Sequence, residues 1–90
     1  MKHAGTAALD AIADLLSEIS ARPELVERKR GVFYCKSKAI LHFHEDPAGL
    51  FADLKTARGF ERLPINSPEE RKELLARVAV VLGRSSPESL

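Results

Sequence analysis

The sequence predicts a single α+β domain of order α-β-β-β-β-α. Three observations carry that expectation. Alternating apolar segments between residues 31 and 65 are broken by glycine-ended turns, residues 6 to 20 carry apolar side chains at helical spacing, and a capping signal at Ser67 opens a second helical stretch.

In residues 6 to 20, Leu9, Ile12, Leu16 and Ile19 recur at three- and four-residue steps, while Asp10, Asp14, Ser17 and Glu18 fall elsewhere. The pattern is that of an amphipathic helix, with Thr6 as the expected N-cap. Arg22-Pro23 ends it, because proline lacks an amide donor and drives the preceding residue out of helical geometry. Pro23 is then expected to open a short helical turn through Glu24, Leu25, Val26 and Glu27, closed by Gly31.

Four strands are expected at residues 32–36, 39–45, 50–55 and 60–65. Asp46-Pro47-Ala48-Gly49 and Thr56-Ala57-Arg58-Gly59 separate the last three, and both end in glycine as hairpin loops built on type I turns tend to do. Taking both as four-residue loops fixes the register. Leu41 then faces Leu54, Phe43 faces Ala52, Ala52 faces Leu63 and Leu50 faces Ile65, so one sheet face is apolar. The first hairpin, around Lys36-Ser37-Lys38, leaves two parities open: either Tyr34 or the pair Phe33 and Cys35 faces the core.

Ser67-Pro68-Glu69-Glu70 combines a serine N-cap, proline at the first helical position and glutamate at the third. Leu74, Leu75, Val78, Val81 and Leu82 form the stripe of a helix over residues 68 to 82, and Gly83 stops it. Residues 1–83 therefore read as the domain and residues 84–90 as a flexible tail.

The chain has 90 residues, enough for one core that buries roughly 60 to 65% of the surface of the unfolded form. At 44% hydrophobic and 30% charged residues it belongs with globular domains. Fourteen basic residues against thirteen acidic ones leave a formal charge of +1, far from the excess expected of a dedicated nucleic-acid domain. One cysteine, Cys35, suits a reducing compartment and reads as a buried small hydrophobe. No apolar run approaches the roughly 20 residues of a membrane span. With Asp10 and Asp14 interrupting its alanines, the N-terminus does not read as a signal peptide, so a cytoplasmic location is expected.

The register also sets His42 opposite Asp53 and Asp53 opposite Arg62, with His44 two residues along on the same face. Two imidazoles and a carboxylate so placed suit a divalent metal, with His42, His44 and Asp53 as ligands. The same four residues could hold an anion between histidine and Arg62, let a histidine oriented by Asp53 act as a base, or serve only as cross-strand pairs on a solvated face. Ile40, Phe51 and Phe60 share this outer face in the register. They suit contact with a second copy of the chain, a homodimer, or stacking of bases with phosphate contacts from Arg28, Lys29, Arg30, Lys36 and Lys38. A third arrangement lays the N-terminal helix over part of this face.

Gly31-Val32-Phe33-Tyr34, Lys38 through Phe43 and residues 50 to 55, following a helix, resemble the small bacterial domains of the YjbR-like type. The likeness covers about a third of the chain, which is shorter than those domains and carries a His42-Phe43-His44-Glu45-Asp46 string not associated with them. It implies an α+β fold with a link to nucleic-acid or protein binding, and brings no catalytic residues. The expectation that emerges is a non-catalytic binding or self-associating module. Its rivals are a metal or small-ligand site at His42, His44 and Asp53, and weak nucleic-acid binding.

Overall fold

The computed structural model describes residues 2–83. Its elements run β1 (Lys2–His3), α1 (Thr6–Ala11), α2 (Ala13–Ser20), β2 (Val26–Lys29), β3 (Val32–Cys35), β4 (Lys38–Asp46), β5 (Gly49–Thr56), β6 (Gly59–Pro64) and α3 (Pro68–Val81). All strand pairs are antiparallel. The sheet has the order β2-β3-β4-β5-β6, and β1 is added to β4 beyond the end of β3. The α+β class stands, but the described residues form six strands where four were expected.

Both additional strands lie where no apolar alternation marks them. Every residue of β2 is exposed, and the segment pairs with β3 through its backbone rather than by burying a face, so the expected helical turn at residues 24 to 27 does not form. Two-residue β1 is too short to carry a period. The N-terminal helix is also broken. Ile12 leaves helical geometry at φ −115° and ψ 26°, and Gly5 rather than Thr6 takes the N-cap position of α1.

The meander has the register read from its turns. Leu41 pairs with Leu54, Phe43 with Ala52 and Ala52 with Leu63, and the Ile65 amide donates to the Leu50 carbonyl. At the first hairpin Lys36 and Ser37 both have positive φ, making a two-residue turn that pairs Cys35 with Lys38 and Tyr34 with Ala39. One extra residue then enters β4, so that Phe33 pairs with Leu41. This bulge resolves the open parity. Phe33 is fully buried, Cys35 packs against the core, and Tyr34 points the other way, beneath the Arg28 guanidinium 4.9 Å from its ring centre.

All helices lie on one face. Leu9, Ile12, Leu15, Leu16 and Ile19 from α1, α2 and the Ile12 break meet Leu74 and Val78 of α3 over Phe33, Leu41, Phe43, Ala52 and Leu54. Each fully buried side chain of this size contributes about 1.5–3 kcal/mol. The alternative in which the N-terminal helix covers the outer face is therefore overturned: its apolar stripe is spent on the core. The α3 capping box is complete, with the Glu70 amide donating to Ser67 Oγ and the Ser67 amide to Glu70 Oε1. Residues 84–90, expected to form a tail, lie outside the described residues.

Candidate metal centre on the open sheet face

Two rows of side chains cross the uncovered face. In one, His42, Asp53 and Arg62 are register partners on β4, β5 and β6; in the other, His3, His44, Phe51 and Pro64 run across β1, β4, β5 and β6. His42, His44, Asp53 and Arg62 are thus brought together as the turns predicted. His3 joins them. Its ring stacks on His44 with centroids 4.7 Å apart, and lies 5.9 Å from the His42 ring. Sequence reading passed over His3 because it sits 39 positions before His42, on a strand too short to announce itself.

Asp53 is the hub. It is only 7% exposed, and both of its oxygens accept from Arg62, Oδ1 from Nε at 2.7 Å and Oδ2 from Nη2 at 2.8 Å. This bidentate grip holds its carboxyl below the usual carboxylate range, against the opposing effect of burial. The histidine in contact with Asp53 is the diagonal one: His44 Nε2 lies 3.1 Å from Oδ2, although His42 is the direct register partner.

An ionised carboxylate only accepts, so His44 presents an Nε2 hydrogen to it and keeps Nδ1 as the ring's other nitrogen. Nδ1 is buried and has no hydrogen-bond partner. Such an orphan costs free energy unless something fills it. His42 Nδ1 sits 3.0 Å from His44 Nε2, and its other flank meets Phe60, ring centroids 5.1 Å apart. Burial keeps the His42 imidazole below its ordinary value, partly offset by the Asp53 charge, so it is neutral near pH 7.

One donor atom from each of His3, His42 and His44 lies within 4.8 Å of the other two. Imidazole nitrogens around a tetrahedral ion at about 2.0–2.1 Å are roughly 3.3 Å apart, so closing on a metal needs a contraction of about 1.5 Å. Exposed His3 has the rotamer freedom for it. Asp53 accepts from Arg62 on both oxygens and meets His44 Nε2 through Oδ2, the kind of contact by which a carboxylate orients a histidine.

Of the three apolar residues expected on this face, Phe60 is 51% exposed there and Phe51 is half-buried beside His44. Ile40 is absent from it. The bulge turns Ile40 to the helix side, where it is buried with Val80 and Val81 of α3 nearby. The basic run is partly spent within the chain, Arg30 on Asp10 at 2.6 Å and Arg28 on Tyr34. No helix is long and apolar enough to cross a membrane among the described residues. No family model, curated protein or solved structure matches this chain.

Proposed function

We propose that the open sheet face binds a divalent late transition metal, zinc, nickel or copper, through His3, His42 and His44. The three imidazoles whose donor atoms lie within 4.8 Å of one another are the observation that carries this reading, and the partnerless Nδ1 of His44 leaves that ring a nitrogen to give. Neutral imidazoles suit these ions better than magnesium or calcium, which prefer oxygen. Asp53 holds the His44 ring through Nε2, a carboxylate–histidine–metal relay, and Arg62 holds Asp53. Three protein ligands leave a position open to solvent.

Zinc or nickel titrated into the protein is expected to shift the imidazole resonances of all three histidines at one equivalent. Asp53→Asn should weaken binding about 10–100-fold by releasing the ring, and His3→Ala should weaken it at least as much. Unmoved histidine resonances at stoichiometric metal would sink the proposal.

A second reading rests on exposure. With the helices all on one side, Phe60 and Val26, 51% and 55% exposed, stand on the uncovered side and sheet margin, where a second copy could bury them. Sedimentation at high micromolar concentration, with and without zinc, separates the two: a monomer in both conditions removes self-association and leaves metal binding standing.

A further inference from the structure

A cleft of about 520 Å³ lies on the helix side of the sheet, away from the histidines, between the end of α3 and the turn joining β5 to β6. Its walls combine two chemistries. Ile40, Ala57, Val80 and Val81 supply apolar surface, and Val80 is 70% exposed. Among the lining cations, Arg77 is engaged by both Glu61 Oε1 at 2.9 Å and Glu73 Oε2 at 3.1 Å, and Lys55 is the register partner of Phe60 on the open face, which leaves Arg58 as the cation at the rim. The size falls within the range of small-molecule sites, and the charge selects the ligand.

The β4 bulge makes this cleft. Without the extra residue Ile40 would alternate with Leu41 onto the open face; with it, Ile40 becomes part of the apolar wall. The turn is braced as well. Thr56 Oγ1 accepts from the Arg58 amide and donates to the Gly59 carbonyl, which fixes the backbone that carries Arg58 at the rim. The Arg58 and Lys55 side chains form no ion pair among the described residues.

We infer that this cleft binds a small amphipathic carboxylate, an apolar chain or ring lying on Ile40, Val80 and Val81 with its anionic head at the Arg58 rim. A cationic amphiphile would be repelled by Arg58, and a neutral one would forgo the head-group contact.

The test is an amide-resolved NMR titration of the whole chain with octanoate, 1-octanol and octylammonium. Octanoate should shift Ile40, Ala57, Arg58, Val80 and Val81 saturably, octanol the same residues about fivefold more weakly, and octylammonium none of them. Decanoate should bind up to about tenfold tighter than octanoate as its added methylenes are buried. In an Arg58→Ala variant, at an exposed position, octanoate should fall to the affinity of octanol. Equal binding of octylammonium, shifts scattered away from the cleft, or no saturable shift at millimolar octanoate would each overturn the inference. The head-group series on the unaltered chain decides the matter even if the variant misfolds.

Discussion

On the helix-covered face of the sheet, Phe33, Leu41, Phe43, Ala52 and Leu54 lie within one continuous apolar cluster, whereas on the open face two polar side chains, Arg62 and His44, converge on the single carboxylate of Asp53. The first arrangement is redundant in kind: area removed from water stabilises wherever it occurs. The second is specific. It needs one residue in one ionisation state, and its geometry collapses if either changes. The covered face therefore serves folding, and the open face is where chemistry can be placed at small cost to the fold.

That contrast can be broken from either side. The largest expected effect is on the covered face. Phe33→Ala should cost about 3–5 kcal/mol, read from the urea midpoint, because the ring is fully buried between sheet and helices. Asp53→Asn comes next, at about 1–3 kcal/mol, since the amide keeps the size but loses the two charge-assisted bonds from Arg62. If it matched Phe33→Ala, the polar row would belong to the fold after all.

Acid sharpens the comparison further. His42 and Asp53 both have folded-state values below their ordinary ones, so each contributes stability that is present above its unfolded value and lost as pH falls through its folded one. Stability should begin to decline below about pH 6.5 as His42 takes up a proton on unfolding, and again below about pH 4 for Asp53. Asp53→Asn should erase the second decline, a result visible in urea midpoints measured between pH 7 and pH 3. The smallest effect is His3→Ala. Without metal it should change stability by less than about 0.5 kcal/mol, because His3 is an exposed residue on a two-residue strand.

What the sequence revealed follows the same divide. The β4–β5–β6 register was legible because Gly49 and Gly59 mark the turns and a one-residue slip would throw Leu41, Ala52 and Leu63 onto the wrong face. It carried His42, Asp53 and Arg62 into line, and the α3 start was equally plain in Ser67 and Glu70. The edge strands were not legible. β2 buries no side chain and β1 has no room for a pattern, so the pairing that delivers His3 leaves no trace in hydrophobic alternation. Nor was the bulge that moved Ile40, because an inserted residue in the middle of an apolar run looks like any other apolar residue.

The pairing of β1 with β4 has one more consequence. It brings His3 beside His44 across some forty residues of intervening chain, so His3 is far along the chain from the other two imidazoles in the unfolded protein. An ion gripping His3 and His42 is then a removable cross-link around a loop of that length. By the chain-entropy measure used for disulfides, closing such a loop is worth about 4 kcal/mol in the denatured ensemble. Strand β1 would be stapled to the middle of the sheet by a bond that a chelator can cut.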